Sequence, residues 1–349
     1  MKVLVAMSGG VDSSVAAAML RDEGHEVVGV TMRLWGGESD SGCCSVADVD
    51  DARRVAQQLD IDHLVFNFSD DFSTAVVDPY VAAHEAGVTP NPCVECNRHL
   101  KFDRLSERAT LLGFDAVATG HHARTERTDA GRWRLRRGAD RAKDQSYVVH
   151  MLDQGALDRT IFPVGHVAAK ADLRADAARR GLRTATKPDS QDVCFITAGA
   201  GRHGFLARRT ALHPARVVDT AGTPVGRVES IELVTIGQRK GLGLVGGGSK
   251  RYVVEVDRAR SIVVVGDEAD LLVDRVAVRG VTWVDAPFTG EVLVQGAAHG
   301  APRAATIESV GADGIAVEWR ERQRRIAPGQ SIVFFDPTDE YVLGGGIAG

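Results

Sequence analysis

Short apolar runs alternate with helical patterns along the first 120 residues. Buried strands are predicted at residues 2–7, 27–32, 63–68 and 115–119. Helices are predicted at residues 13–21, at residues 46–59, and where Leu105, Ala109 and Leu112 recur at helical spacing. Because strands that alternate with helices form parallel sheets covered on both faces, we expect a doubly wound α/β domain. Ligands of such a sheet bind at the carboxyl ends of its strands.

Beyond about residue 200 the pattern changes to short β-type runs between turn signals. Strands are predicted from ARVVD, IELVTI, RYVVEV, SIVVVG, RVAVRGVTWV, EVLVQ, GIAVEW and SIVFF. This spacing is typical of small antiparallel sheets or barrels rather than further βαβ units. We therefore expect an α/β catalytic domain at residues 1–200, a small central domain at residues 201–266 and a β-barrel-like domain at residues 267–349.

The composition indicates a globular protein of a reducing compartment. Hydrophobic residues make up 44% of the 349 residues and charged residues 26%, which argues against general disorder. No apolar stretch approaches the roughly 18 residues of a membrane span, and the apolar run at the N-terminus is too short for a signal peptide. Five cysteines, an odd number, do not suggest a secreted disulfide framework. The expected location is therefore the cytoplasm.

Charge is distributed unevenly along the chain. The net charge of −5 excludes a uniformly basic surface for nucleic acid. Residues 38–92 contain eleven acidic and two basic residues, whereas residues 98–144 contain twelve basic and seven acidic ones. Residues 202–216 add four arginines and no carboxylate. Regional basic surfaces of this kind can bind a polyanion, although solvated helix and loop faces explain the counts equally simply.

The strongest local signal is SGGVDSS at residues 8–14, here named the glycine loop, between the first predicted strand and helix. Its glycines let the backbone approach an anion, and the following helix N-terminus offers unpaired N–H groups. Its serines add hydroxyl donors, and Asp12 is a candidate ligand for a metal ion that accompanies phosphates. The loop has neither the Lys of a Walker A motif nor the glycine spacing of a Rossmann fingerprint.

The glycine loop resembles that of the pyrophosphatase-loop family of ATP-dependent enzymes. Further motifs follow it along the chain: TPNPCVECNRHLKF (89–102), ATGH (118–121), KDQSY (143–147), FPVG (162–165), SQDVCFI (190–196), GQRKGLG (237–243) and LGGGI (343–347). Together they resemble the tRNA-specific 2-thiouridylase family from residue 3 to about residue 347. The resemblance implies ATP- and Mg²⁺-dependent 2-thiolation of the wobble uridine of tRNA, with a cysteine desulfurase or sulfur-relay protein as sulfur donor and no membrane partner.

The chemistry implied by this resemblance needs two cysteines. Adenylation turns the uridine C2 oxygen into a leaving group, and a persulfide then supplies sulfur. One cysteine carries the persulfide, and the other releases its terminal sulfur by closing a disulfide. The family pattern assigns Cys96 as the nucleophile and Cys194 as the persulfide carrier, with a transient disulfide between them. Because Asn97 precedes a predicted helix, we expect Cys96 near a helix N-terminus, which favours thiolate.

Binding residues are also implied, position by position. Those for ATP are Ala6, Met7, Ser8, Gly9, Gly10, Val11, Asp12, Ser13, Met32 and Gly120, with Mg²⁺ near Asp12. Those against the target base, which must leave its stack, are Asn91, Pro92 and Cys93. Those touching tRNA are His121, Lys143, Asp144, Gln145 and Gln330.

Two alternatives to the persulfide route stay open, and Cys93 raises the first. Many members of the family have Asp at this place, whereas here Cys93 and Cys96 form a C-x-x-C. With Cys194 they would hold three corners of an iron–sulfur cluster, and the same thiolation would then use cluster-bound sulfide. The second alternative is a different pyrophosphatase-loop ligase that modifies tRNA and requires no cysteine pair. Cys43 and Cys44 match no ligand spacing and are interpreted as structural.

The last predicted domain departs from the family pattern. Where members often carry a basic RYR-type patch, this chain reads VQGAAH at residues 294–299. We therefore expect most tRNA backbone contacts from residues 98–143, with salt-sensitive affinity. The arginines expected to contribute most are Arg132, Arg134, Arg136 and Arg137.

Overall fold

A computed structural model describes residues 1–35, 46–189, 193–197, 199–245, 249–311 and 314–349. Its α-helices are α1 (Val11–Asp22), α2 (Val46–Gln58), α3 (Ser69–Phe72), α4 (Asp78–Glu85), α5 (Pro92–Cys96), α6 (Leu105–Leu111), α7 (Gln154–Asp158), α8 (Lys170–Arg179) and α9 (Gly201–Ala207). Its strands are β1 (Lys2–Ala6), β2 (Glu26–Arg33), β3 (Asp62–Asn67), β4 (Ala116–Thr119), β5 (Ala123–Arg127), β6 (Trp133–Arg137), β7 (Thr160–Ile161), β8 (Ala215–Asp219), β9 (Pro224–Val228), β10 (Tyr252–Asp257), β11 (Ile262–Gly266), β12 (Leu272–Trp283), β13 (Gly290–Gln295), β14 (Arg303–Gly311), β15 (Gly314–Arg324), β16 (Ser331–Phe335) and β17 (Tyr341–Ala348). None of these helices combines the length and apolar character that crossing a membrane requires. Cys43 and Cys44 lie outside the described residues.

The first sheet confirms the predicted doubly wound α/β fold. Its strands are parallel and lie in the order β3-β2-β1-β4-β7. Val3 and Val5 of β1 face one core cluster with α1, α2 and α8, while Leu4 faces the opposite cluster with α4 and α6. The strand order reverses between β1 and β4. In open α/β sheets, ligands bind in the crevice at such a reversal, outside the carboxyl ends of the strands.

The second sheet has the order β10-β11-β8-β9. Its β10–β11 and β8–β9 pairs are antiparallel, as predicted, whereas its β8–β11 pair is parallel. The run IELVTI, predicted as a strand, begins instead with a 3₁₀ turn, Ile231–Leu233. Glu232 in that turn is buried and is bonded by His213 and Arg258. The pattern of apolar residues could not predict this turn, because the Glu232 carboxylate is held by His213 and Arg258, which are 19 and 26 positions away.

The third sheet is a six-stranded barrel with a hairpin attached. Strands β12-β15-β14-β13-β16-β17 follow one another, and β12 pairs with β17 to close the ring. The β5–β6 hairpin joins this sheet through β6 and β17, with Tyr341 opposite Arg136. The sequence patterns did not predict the hairpin, because its strands, ARTER and WRLRR, are rich in arginine rather than apolar residues. It connects an early segment of the chain to the last sheet.

A single helix, here named the cysteine helix, runs from Pro92 to Leu111. It consists of α5, a wide π-helical segment Asn97–Arg104, and α6. Asn91 is its N-cap and accepts a hydrogen bond from the Val94 N–H at 3.3 Å, and Pro92 occupies the first position, which Pro favours. The expectation that Cys96 lies near a helix N-terminus was therefore wrong. The helix begins four residues earlier, and Cys93 lies in its first turn.

Candidate functional site

The glycine loop lies at the reversal point of the first sheet, between β1 and α1. Gly9 has a φ of +70°, and a Cβ on it would collide with the backbone oxygen of Asp48. A Cβ on Gly120, directly after β4, would lie 2.6 Å from the Ser13 backbone nitrogen. Both positions therefore require glycine, and Gly120 packs directly on the loop.

Hydrogen bonds inside the glycine loop fix its shape. The Ser13 hydroxyl accepts from the Ser8 N–H and lies 3.2 Å from the Gly10 carbonyl, to which it donates. The Ser14 hydroxyl donates to the same carbonyl at 2.8 Å. Gly10 is the N-cap of α1 and supplies no side-chain cap. The first N–H groups of α1 are therefore oriented for an anion.

The other residues matched to ATP binding lie at the same sheet edge. Met7, at the start of the loop segment, donates its N–H to Val30 of β2 at 2.8 Å. Met32 is buried near the carboxyl end of β2. The structure thus brings residues 6–13, Met32 and Gly120 to one crevice.

Asp12 lies at the centre of a charged network in this crevice. Its carboxylate is 3.0 Å from His122 Nε2 and is also bonded by the Lys170 ammonium. Burial would raise the pKa of Asp12, but the hydrogen bonds from His122 and Lys170 outweigh it and lower the pKa below its usual value. The carboxylate is therefore ionised at neutral pH. Sequence analysis missed both partners; His122 directly follows the ATGH motif, whereas Lys170 carries no signal.

Lys170 links the glycine loop to the segment that leads towards Cys194. Its ammonium lies 3.4 Å from Asp189, which also binds Lys143 at 3.0 Å and Arg174 at 2.8 Å. These cations overcome partial burial and lower the pKa of Asp189 to about 2. Lys143, matched to tRNA binding, is therefore already engaged by a carboxylate near the glycine loop.

Cys96 and Cys194 are both half-buried and pack against the same hydrophobic cluster. Phe195 lies within that cluster and makes an edge contact with Tyr80 at 5.4 Å between ring centroids. Val193 has a φ of +55°, a conformation that β-branched residues rarely adopt. Strain of this kind is common at functional sites. We name Cys96, its helix and residues 193–197 together the cysteine site.

A cavity of about 280 Å³ adjoins the cysteine site. It is lined by Tyr80, His84, Thr89, Pro90, Pro92, Val193, Ile196 and Arg202. Pro92, matched to the target base, thus faces the two residues that flank the Cys194–Phe195 pair. The walls are mostly apolar with a few polar groups, as in pockets for small ligands.

The positions of the donor side chains bear on the metal alternative. Within the part of the chain that the structure describes, no three His, Cys, Asp or Glu side chains are grouped to hold a metal ion. Cys93, Cys96 and Cys194 therefore do not form a site for a single metal ion, and no step is derived through an iron–sulfur cluster. Asp12 fits a different role, since Mg²⁺ is commonly held by one or two carboxylates together with substrate phosphates.

Three residues matched to tRNA binding lie beside the glycine loop. His121 is buried, and its Nδ1 lies 2.8 Å from the Thr119 hydroxyl. Burial, with the nearby Lys101 and His122, holds the His121 pKa well below its usual value. Gln145 accepts the His122 N–H at 2.9 Å. Asp144 binds the Arg137 guanidinium at 2.8 Å, so it is held within the fold.

The four arginines expected to contact tRNA divide into two pairs. Arg137 is buried between Asp144 and Asp339, and Arg136 binds Glu126 and Glu340. The side chains of Arg132 and Arg134 are about half exposed, at 51% and 52%. The hairpin pairs with β17 at Arg136 and Leu135, which brings the inner arginines to the carboxylates of Asp339 and Glu340. Arg132 pairs with Asp285 and Arg134 with Glu126, but their greater exposure leaves this outer pair better placed for phosphates.

Comparisons with known proteins cover nearly the whole chain. Residues 1–198 match a family model described as tRNA methyl transferase HUP domain, residues 203–267 a tRNA methyl transferase PRC-barrel domain, and residues 273–348 an aminomethyltransferase beta-barrel domain. The chain is 46% identical to tRNA-specific 2-thiouridylase MnmA of Chloroflexus aurantiacus, over 99% of this chain and 97% of that protein. It is 47% identical to the protein of the same name from a Mycobacterium species (strain JLS), over 97% and 96%. Among solved structures, a 4-thiouridine synthetase–RNA complex with bound ATP is 18% identical, with a TM-score of 0.38, over 56% of this chain and 44% of that one.

Proposed function

The chain belongs to the family of tRNA-specific 2-thiouridylases, and we propose that it transfers sulfur to C2 of the wobble uridine of tRNA at the expense of ATP. One observation carries this proposal: Cys96 and Cys194, far apart in sequence, pack on one cluster beside a cavity that reaches Pro92. The glycine loop at the sheet reversal supports the use of ATP.

The first step is activation of the uridine oxygen. The backbone of the glycine loop and the first turn of α1 hold the phosphates, with Gly120 closing the crevice. The uridine C2 oxygen attacks the α-phosphorus, pyrophosphate leaves, and AMP becomes bonded to that oxygen. Asp12 would hold Mg²⁺ with the phosphate oxygens, supplying charge neutralisation. Lys170, beside Asp12, adds a second positive charge next to the phosphates.

The second step is sulfur transfer. A sulfur donor, a cysteine desulfurase or relay protein, leaves a persulfide on Cys194. The Cys96 thiolate attacks the inner sulfur of that persulfide, so a Cys96–Cys194 disulfide forms and the terminal sulfur departs as hydrosulfide. Hydrosulfide adds to C2, and AMP leaves with the former uridine oxygen, giving 2-thiouridine. A dithiol reductant must then reopen the disulfide before the next turnover.

The proposed tRNA contacts follow from the family pattern for the target base and its neighbours, and from exposure and charge for the hairpin. Asn91, Pro92 and Cys93 line the place of the flipped base, while His121, Lys143, Asp144 and Gln145 guide the adjacent nucleotides. Arg132 and Arg134 contribute phosphate contacts from the hairpin. Substituting Arg132 and Arg134 by Ala should reduce the salt dependence of tRNA affinity by about one unit each. An unchanged slope would remove the hairpin from the interface.

The proposed reaction is tested by mass spectrometry of tRNA nucleosides after incubation with ATP, Mg²⁺ and a cysteine desulfurase. Cys96→Ser and Cys194→Ser should each abolish 2-thiouridine, while Cys43→Ser, at a cysteine interpreted as structural, retains it and serves as the matched control. Full activity of both serine variants would exclude a sulfur relay and favour a different ligase chemistry. Loss of activity in Cys93→Ser, together with stoichiometric iron in anaerobic protein, would favour the cluster route.

A further inference from the structure

The two ends of the turn that bears Cys96 are held by asparagines. Asn91, the N-cap, accepts the Val94 N–H through its Oδ1 at 3.3 Å and so fixes the start of the helix. The Tyr147 phenol donates its proton to the Ser331 carbonyl at 2.8 Å, which ties the turn that carries Tyr147 to the barrel.

Asn97, the residue after Cys96, is buried and donates through Nδ2 to the Val148 carbonyl at 2.8 Å. Tyr147 and Val148 are consecutive residues of one 3₁₀ turn, Ser146–Val149. That turn packs against both α5 and the π-helical segment, and so contacts the cysteine helix on both sides of Cys96. Two fixed points about one and a half helical turns apart determine how the intervening residues are rotated.

The barrel holds both the Ser146–Val149 turn and the segment before the cysteine helix. Ser331, which accepts the phenol proton, is the first residue of β16. Next to it, Gln330 donates through Nε2 to the Thr89 carbonyl at 2.7 Å, and the Thr89 N–H donates to Pro328 at 2.9 Å. The barrel edge 328–331 thus holds the chain just before Asn91 as well as Tyr147. Burial raises the pKa of Tyr147 to about 12, so the phenol remains a neutral donor at every working pH.

We propose that Tyr147 is a positioning residue for Cys96, and that the barrel orients the cysteine helix through Ser331, Tyr147 and the bond between Val148 and Asn97. The inference rests on the proposed role of Cys96. The barrel would then influence the reaction by orienting Cys96, without contacting the target base. The inference also assigns Gln330, matched to tRNA binding, a second role as an anchor of the segment before Asn91.

The test is Tyr147→Phe, which removes one oxygen and keeps the ring. We expect kcat for thiolation to fall about tenfold or more, since small misplacements of reacting groups are costly, with KM for ATP and tRNA unchanged within twofold. The alkylation rate of Cys96 with iodoacetamide, followed by peptide mass spectrometry, should change at least threefold, and its pH midpoint should shift. Tyr252→Phe is the control, because that buried tyrosine bonds Arg324 far from the cysteine helix.

Wild-type kcat and Cys96 alkylation in Tyr147→Phe would overturn the inference, as would a loss of thermal stability without any change in alkylation. If that variant does not fold, Asn97→Asp replaces it, because the carboxylate keeps the shape and loses the donor to Val148. The proposed function fails separately, if Cys96→Ser protein is active in thiolation. The two failures are distinguishable, because alkylation measures the surroundings of Cys96 and does not depend on turnover.

Discussion

The glycine loop and the cysteine site are built in opposite ways. Hydrogen bonds within the glycine loop join residues three to five positions apart, such as Ser13 with Gly10 and Ser8. Hydrogen bonds at the cysteine site join Asn97 with Val148, 51 positions away, and Thr89 with Gln330, 241 positions away. The first site is therefore a local feature of one sheet, whereas the second also depends on hydrogen bonds to the barrel.

This difference predicts where each site is vulnerable. The glycine loop depends on β1, β4 and α1, which form the core of the first sheet. The cysteine site depends additionally on contacts with the central sheet and the barrel. Changes at module interfaces should therefore alter the cysteines first, and changes at the loop should alter nucleotide binding alone.

The largest effect is expected from Glu232→Ala, at the contact between α4 and the central sheet. The buried Glu232 carboxylate bonds Arg258 at 2.9 Å and the backbone N–H and ring of His213. His84, which lines the cavity, bonds the Glu232 carbonyl at 2.9 Å. Removing one partner of a buried ion pair costs about 3–5 kcal/mol. The free energy of unfolding from denaturant titration should fall by that amount, and Cys96 and Cys194 should alkylate faster.

Glu268→Ala is the matched control, because Glu268 pairs with Arg324 at the exposed surface. Such pairs contribute at most about 1 kcal/mol. Nucleotide affinity should be unchanged in both variants. If Glu232→Ala costs no more than Glu268→Ala, the central sheet does not support the cysteine site.

Local patterns explain what the sequence predicted. The glycine loop is contiguous, and the alternation of apolar runs with helical segments predicts the parallel sheet around it. The long-range partners have no such signal: Lys170 is 158 positions from Asp12, and Tyr147 is 184 positions from Ser331. Arg137 is likewise buried against Asp339, which is 202 positions away. Counting charges along the sequence could therefore not distinguish Arg137 from the exposed arginines.

One error was avoidable from the sequence. Asn91-Pro92 is a good helix start, with an N-cap amide followed by Pro at the first position. The prediction of a helix only after Asn97 therefore missed its first turns, and Cys96 lies in the second turn of the helix. The π-helical segment after Cys96, in contrast, has no sequence signal, because it arises from packing of the helix against its neighbours.

Gly120→Ala should affect the glycine loop and leave the cysteine site unchanged. The new Cβ would lie 2.6 Å from the Ser13 nitrogen and 2.8 Å from the Asp12 carbonyl carbon, and neither backbone atom can move freely. Overpacking of this kind costs about 3 kcal/mol at its usual upper limit, which corresponds to roughly a hundredfold loss of affinity. Calorimetric titration with ATP measures it, and the alkylation rates of Cys96 and Cys194 should stay unchanged.

Gly155→Ala is the control, because Gly155 is exposed in α7 and its Cβ would meet only Asp153 Oδ1 at 3.5 Å. It should bind ATP like the unaltered protein. Equal affinity of Gly120→Ala and Gly155→Ala would show that Gly120 does not shape the loop. Altered cysteine reactivity in Gly120→Ala would show that the two sites are coupled more closely than their construction suggests.

The smallest effect on stability is expected from a lower pH. It should disturb the cysteine site before the glycine loop. His150 is buried, its Nδ1–H donates to the Tyr147 carbonyl at 2.8 Å, and burial lowers its pKa to about 4. The unfolded chain binds a proton near pH 6.5 while the folded protein does not, so stability is lost as pH falls from 6.5 towards 4. At pH 5 the loss is about 2 kcal/mol. Because the pKa of Asp12 is lowered, its carboxylate stays ionised in this window and contributes no loss of stability there.

Denaturant titrations at pH 7 and pH 5 measure the slope of the free energy of unfolding against pH. His150→Asn should make this slope smaller, because the Asn amide keeps the donor to the Tyr147 carbonyl and does not titrate. Part of the slope should remain, because burial also lowers the pKa of His84 and His121. Cys96 alkylation in the unaltered protein should rise between pH 6.5 and pH 5 relative to a denatured reference, while ATP affinity stays constant. Identical slopes for the two proteins would show that the turn beneath the cysteine helix does not carry the acid sensitivity, and the contrast between the two sites would then rest on the module interfaces alone.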